Sequence, residues 1–323
     1  MKVSEGLGPY LVKRRAAGMV FERPEALITG FCRHVGDIEF NQLEIRHVLT
    51  YLDVPRTSTI TWRTKYQMLL RFLEFWFYRG AMPDLLMPPP KPPVRQTFVP
   101  YIYSRVELRS LLKAIGQDQH KRERALDRKT LRTIILLLYG TGARMGEVIN
   151  LSREDVNLKG RLITIGHPNS FRSRSIPIGS DLCGVLEEYL SWRSRKNFQS
   201  KHLFVTKSDS PVSKGRMTVD FHRLRTIAKV TRGDGSQQQP RLDDLRYTFA
   251  VHRITSWIRN GADLDRMLPA MAAYMGQMGL GATERYLAMT PERFRKALNK
   301  LSPTHSRNKW RNDTVLMSFL ASL

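Results

Sequence analysis

Two stretches near the C-terminal third decide how this chain reads: LDDLRYTFAVHRI, residues 242–254, and AAYMGQMGLGATERYLAM, residues 272–289. Arg246 stands in the first and Tyr286 near the end of the second. Roughly a hundred residues upstream, LLLYGTGARMGEVINLSREDVNL, residues 136–158, carries Arg144 at its centre. A tyrosine combined with two separated arginines points to phosphodiester chemistry. A phenol can attack phosphorus, and two guanidiniums can hold the non-bridging oxygens as negative charge builds. Arginine suits that task because its planar fork binds phosphate bidentately and stays charged.

The spacing around these residues follows a known pattern. Gly142, Arg144, Glu147 and Leu151 fit G-x-R-x-x-E-x-x-x-L. Leu245, Arg246, Thr248, Phe249 and Ala250 fit H-x-L-R-H-T-F-A. Met275-Gly276-Gln277, followed eight residues later by Tyr286, is similar to L-G-H and its downstream tyrosine. Over roughly residues 100 to 300 the chain resembles the tyrosine recombinases of the phage integrase family. The resemblance implies a mainly α fold with a small β-hairpin or sheet, a helical N-terminal core-binding domain and a tyrosine-recombinase catalytic domain. It also implies cleavage and rejoining of DNA through a 3′-phosphotyrosyl link and a free 5′ hydroxyl. One phosphodiester is exchanged for another of similar energy, so no cofactor is expected.

On this resemblance Tyr286 is the nucleophile, and Arg144 and Arg246 are the phosphate ligands. Glu147, one turn after Arg144, would orient it through a salt bridge. Three positions depart from the pattern: Asp243 and Tyr247 replace the histidines flanking the second arginine, and Gln277 replaces the histidine or tryptophan of the third motif. Asp243 could cap a helix, aim Arg246 or accept a proton. Gln277 can donate a hydrogen bond to a phosphate oxygen but cannot supply a proton at neutral pH. The lysine that family members use to protonate the leaving oxygen falls on Asn169, which cannot do so. Arg172 is the favoured substitute, with His167 as the alternative. These departures keep a second reading open, a DNA-binding accessory or regulatory protein of the same fold. A third reading is a type IB topoisomerase-like enzyme.

Composition agrees with a polyanionic partner. The 323 residues include 53 Lys and Arg against 29 Asp and Glu, for a net charge of +24. Such a balance points to nucleic acid, although a basic structural protein, such as a ribosomal one, would share it. Residues 1 to 95 carry a net +5 and the remainder +19, so charge concentrates where the motifs lie. The two cysteines, Cys32 and Cys183, form neither a disulfide framework nor a metal-ligand pattern. No apolar run reaches the length of about 18 residues that a membrane span needs, and the first residues lack the apolar core of a secretory signal. A cytoplasmic, nucleoid-associated protein is expected, with double-stranded DNA, further copies of itself on paired sites and partner recombinases as candidate partners; no paired-carboxylate metal site or phosphate loop is visible.

Taken in order, residues 1–82 read as short helices forming a core-binding-like domain. The strongest is Thr57–Arg79, where Tyr66, Leu69, Leu70, Leu73 and Phe77 recur at steps of three and four. Trp62, Phe72, Phe75 and Trp76 widen that face, and core packing is the expected use of so many rings. Residues 83–100 hold Pro83, Pro88, Pro89, Pro90, Pro92, Pro93 and Pro100, a composition that excludes helix and suits a semi-rigid linker. Residues 101–300 form the expected catalytic domain. Ser104 and Glu107 have capping-box spacing, and helices are expected over Ser104–Ile115, Arg128–Gly140, Ser180–Ser194, Met217–Lys229, Asp243–Gly261 and Leu264–Tyr274. Arg161–Ile165 and Arg174–Ile178 read as a hairpin. Residues 301–323 form a basic, amphipathic tail in which Leu316, Phe319, Leu320 and Leu323 share a helical face.

Overall fold

The computed structural model describes residues 1–17, 22–54, 57–92, 99–117, 125–166, 173–234, 238–277, 281–291 and 314–321. They fall into two compact units that part between Phe98 and Val99. Arg172, His167 and Asn169, and the basic run from Arg293 to Arg311, lie outside the described residues.

The N-terminal unit contains helices α1 (Leu7–Ala16), α2 (Glu22–Val35), α3 (Ile45–Leu52) and α4 (Thr59–Phe77). Ser58 caps α4 by accepting the Thr61 amide at 3.2 Å. Trp62, Tyr66, Leu69, Phe72, Leu73 and Trp76 of α4 are buried against Phe31, Val48 and Leu52. The expected face is therefore rotated slightly: Leu70 and Phe77 are only partly covered, and the rings serve the core. Each buried indole finds an acceptor, Trp62 Nε1 on Asp53 at 2.9 Å and Trp76 Nε1 on the Gly6 carbonyl at 3.2 Å. Cations rim this core: the Arg79 guanidinium lies 3.7 Å from the centroid of the Phe75 ring. The first half of the proline-rich stretch packs on the same unit. Leu85, Leu86 and Met87 lie on its core, and Lys91 pairs with Asp53 at 2.6 Å.

The C-terminal unit is built around α6 (Arg128–Thr141), whose Leu131, Ile134, Ile135, Leu137 and Leu138 are nearly inaccessible. Helix α5 (Arg105–Gln117) starts at the expected capping box: Ser104 Oγ accepts the Glu107 amide, and Glu107 accepts the Ser104 amide. Next come α7 (Met145–Ile149) and an antiparallel sheet of β1 (Val156–Asn157), β2 (Leu162–Ile165) and β3 (Arg174–Pro177). Ile163 faces Ile176 and Ile165 faces Arg174 across β2 and β3; the isoleucines point into the core and Leu162 points outward. After the sheet follow α8 (Ser180–Ser194), α9 (Lys214–Ile227), α10 (Asp244–Arg259), α11 (Leu264–Tyr274) and α12 (Gly281–Ala288). Helix α6 packs against α5, α7, α8 and α10, and α10 packs against α11 and α12. Tyr103 anchors the unit's first residues: its amide donates to Thr248 Oγ1 and its hydroxyl to the Arg241 carbonyl. The tail is helical at α13 (Thr314–Ala321), with Val315 and Met317 exposed. The side chains of Leu316, Phe319, Leu320 and Leu323 lie outside the description.

The architecture is the mainly α fold with a small sheet that the motifs implied. The third strand was not expected, and α9 begins three residues earlier than the apolar pattern, at a Ser213 cap that accepts the Arg216 amide at 3.2 Å.

Candidate active site

Arg144, Arg246, Asp243, Gln277 and Tyr286 all line one pocket of about 420 Å³. They come from helices α10 and α12, from the N-caps of α7 and α10 and from the turn after α11, so the arrangement depends on how each is held.

Arg144 is the N-cap of α7 and follows Gly142, which ends α6 in the left-handed conformation with φ 63°. A side chain at Gly142 would also meet the Phe249 ring at 2.4 Å, so only glycine permits this turn. The Arg144 side chain is 55% exposed and reaches Glu147 at 3.0 Å. The same carboxylate takes the Arg144 amide at 2.8 Å and the Arg174 guanidinium at 3.0 Å. Burial alone would push the Glu147 carboxyl up; the Arg174 hydrogen bond, the Arg144 amide and both positive charges outweigh it and hold it below the ordinary carboxylate range. Arg174 in turn donates from Nε to the Tyr274 carbonyl at 2.9 Å. Gly276, with φ 65°, lies against that guanidinium, where an added Cβ would approach Nη1 at 2.5 Å.

Arg246 is half-buried on α10. Its Nη1 donates to the Gly142 carbonyl at 2.6 Å and its Nη2 to the Met275 carbonyl at 3.0 Å. One guanidinium thus joins the turns that carry the first and third motifs. Burial presses its charge below the usual arginine range; Tyr286 acts against that and Arg144 adds to it. Tyr286 is 4% exposed on α12. Its hydroxyl accepts from Gln277 Nε2 at 3.0 Å, and Gln277 Oε1 accepts from Thr283 Oγ1 at 2.7 Å. Thr283 therefore fixes which end of the amide faces the phenol. The Tyr247 ring stands edge-on to Tyr286 at 5.4 Å and 79°. Burial, and then the neighbouring Tyr286, raise the Tyr247 hydroxyl above its ordinary range.

Asp243 precedes α10, is exposed at the pocket and makes no side-chain cap bond. The neighbouring Asp244, fully buried, instead ties down the preceding turn by accepting the Arg241 amide at 2.9 Å. Sequence reading passed over two residues here. Arg174 had a signal, a basic residue on a strand otherwise alternating in polarity. Lys214, the first residue of α9, also lines the pocket, and nothing in its local pattern marks it. Among the described residues no cluster of three or more His, Cys, Asp or Glu could hold a metal ion, and no helix is long and apolar enough to cross a membrane.

A helical unit with a small sheet, two arginines and a tyrosine in one pocket defines the class of the tyrosine recombinases. The sequence signature of the phage integrase family matches residues 105–293, and the chain belongs to that family as a DNA strand-breaking and rejoining recombinase. Its relatives include the Sinorhizobium fredii integrase/recombinase candidate y4rB, 27% identical across 90% of this chain and 94% of that protein. The tyrosine recombinase XerC of Staphylococcus carnosus is 26% identical across 84% of each chain. Among solved structures, the Tn1549 transposon integrase in complex with a circular intermediate DNA matches 94% of this chain and all of that one, with a TM-score of 0.62 and 16% identity. A lambda integrase dimer bound to a core site matches 88% of this chain and 95% of that one, with a TM-score of 0.58 and 14% identity. These two establish the shared fold.

Proposed function

We propose that this chain carries out site-specific recombination with Tyr286 as nucleophile, on double-stranded DNA in the cytoplasm, at the nucleoid. The observation that carries this reading is the convergence of Arg144, Arg246, Gln277 and Tyr286 on one pocket. The Tyr286 oxygen forms a bond to phosphorus, the bond to the 5′ oxygen breaks, and the phenolic proton passes to solvent at the exposed side, where Asp243 stands. Arg144 and the donors of Arg246 not used on carbonyls stabilise the charge that builds on the non-bridging oxygens. Glu147 keeps Arg144 aimed. Gln277 and Tyr247 hold the Tyr286 phenol in place. A 5′ hydroxyl from a second strand then attacks the phosphotyrosine and restores a phosphodiester, so no external energy source is required.

The net charge of +24 suits a long contact with the DNA backbone. Lambda integrase has been solved as a tetramer bound to a Holliday junction, and the same kind of assembly on paired sites is inferred here. The decisive experiment needs a substrate. A randomised duplex pool is incubated with the chain, and DNA retained through denaturation is recovered and remade as a nicked duplex. Wild type should leave a protein–DNA band on a denaturing gel. Tyr286→Phe should remove that band while leaving affinity nearly unchanged, since a single hydroxyl is lost. Survival of the band would refute the assignment.

A further inference from the structure

We infer that Lys214 is a catalytic residue of this pocket and gives the proton to the leaving 5′ oxygen. The inference rests on Tyr286 being the nucleophile. Among the described residues, three cationic side chains line the pocket: Arg144, Arg246 and Lys214. The first is engaged by Glu147 and the second by two backbone carbonyls. Lys214 is exposed, and its ammonium makes no ion pair among the described residues. It is nevertheless placed, because its stem crosses Gly146: a Cβ there would come within 2.8 Å of Lys214 Cε and 3.0 Å of Nζ. A larger residue at 146 would displace the ammonium.

The chemistry separates Lys214 from its neighbours. An alkoxide is a poor leaving group, so the 5′ oxygen needs a proton as its bond to phosphorus breaks. A guanidinium gives up its proton too reluctantly to supply it. An ammonium is a far stronger acid than the alcohol being formed, and it carries three donors on a rotatable end. The positions also fit. In a displacement at phosphorus the leaving oxygen departs roughly in line with the attacking one, on the far side. Tyr286 belongs to the wall made by α10, α11 and α12, bonded to Gln277 and packed on Tyr247. Lys214 belongs to a different wall, where α9 meets α7. In cleavage a Lys214 N–H bond breaks and an H–O5′ bond forms, leaving a neutral amine. In rejoining the amine takes that proton back from the attacking 5′ hydroxyl.

The test uses the nicked duplex recovered by covalent capture, made with either an oxygen or a sulfur as the bridging 5′ atom. A thiolate leaves without a proton. Lys214→Ala should slow cleavage of the oxygen duplex by about 10²- to 10⁴-fold, the range for a positioned proton donor, and cleave the sulfur duplex near the wild-type rate. Lys214→Arg should behave in the same way, since charge is kept but the transferable proton is lost. Gly146→Ala, which shifts the ammonium and changes no charge, should show a smaller deficit that sulfur also relieves. Equal slowing on both duplexes, full rescue by Lys214→Arg, or no slowing at all would overturn the role. Those results would leave Tyr286 standing as long as wild type forms the covalent band and Tyr286→Phe does not.

Discussion

Replacing Arg246 by lysine removes the planar fork while keeping the positive charge, and the geometry sets what that should cost. The guanidinium has five N–H donors. One goes to the Gly142 carbonyl at 2.6 Å and one to the Met275 carbonyl at 3.0 Å, which leaves up to three for phosphate. A lysine ammonium has three donors on one atom and cannot reach both carbonyls and still meet an oxyanion. If it stays with the carbonyls, the phosphate loses a preorganised donor, a change that costs about 2.7–4 kcal/mol of transition-state stabilisation, or 10²- to 10³-fold in rate. If it turns to the phosphate, two buried carbonyls lose a partner, at about 1–3 kcal/mol of fold stability for each group left unsatisfied. Single-turnover formation of the covalent band, followed on a denaturing gel, reads the first cost. Thermal unfolding of the same protein reads the second. Binding to intact duplex and its salt dependence should change little, because the charge persists. Cleavage within a few-fold of wild type, at unchanged unfolding temperature, would refute the claim that Arg246 uses its fork in both directions.

Glu147 gives the chain a pH dependence. Its carboxyl lies below the ordinary range in the fold, so it adds stability that is present above its unfolded value near 4.3 and is lost as pH falls through the folded value. Glu147→Gln should lower stability by about 1–3 kcal/mol near neutrality and flatten the loss of unfolding temperature on acidification; equal slopes in melts from about pH 3 to 7 would remove Glu147 from the account. Because Leu85, Leu86 and Met87 pack on the N-terminal unit, fragments should be cut after residue 92 and not at Pro83. Fragments 1–92 and 99–323 should each bind duplex far more weakly than the whole chain, through lost effective concentration, and a full-strength fragment 99–323 would show that the first unit does not hold DNA. Deleting residues 313–323, which include α13, should leave a folded monomer with impaired assembly on paired sites, and unchanged assembly by sizing would exclude exchange of the tail.

Much of the fold could be read in advance because the apolar periods are long. Helices α8 and α11 coincide with their expected bounds, and the hairpin of β2 and β3 alternates as a half-buried strand pair should. Strand β1 was missed because two residues, Val156 and Asn157, cannot show an alternation. The start of α9 was misplaced for a different reason. Lys214, Gly215 and Arg216 carry no apolar period, and only the Ser213 cap announces the helix. The face of α4 was broadly right but rotated, since several aromatic residues in one helix offer more than one apolar stripe.

The site was legible where chemistry demands a residue type and opaque where backbone does the holding. Arg144, Arg246 and Tyr286 stand out by type and spacing. The carbonyls of Gly142, Tyr274 and Met275 that aim Arg246 and Arg174 are invisible in a sequence, since every residue has a carbonyl. The positions that depart from the pattern now make physical sense together. Gln277 donates to the Tyr286 oxygen with its amide fixed by Thr283, and Tyr247 packs its ring edge-on to Tyr286. Neither task requires a titrating group, so Gln277 and Tyr247 can hold the phenol proposed as nucleophile without carrying charge. The charged contacts are gathered instead on Glu147, Arg144 and Arg174. Because Arg246 is bonded to the turns of both other motifs, any substitution that moves Gly142 or Met275 should act on cleavage through Arg246, even though neither residue offers a reactive side chain.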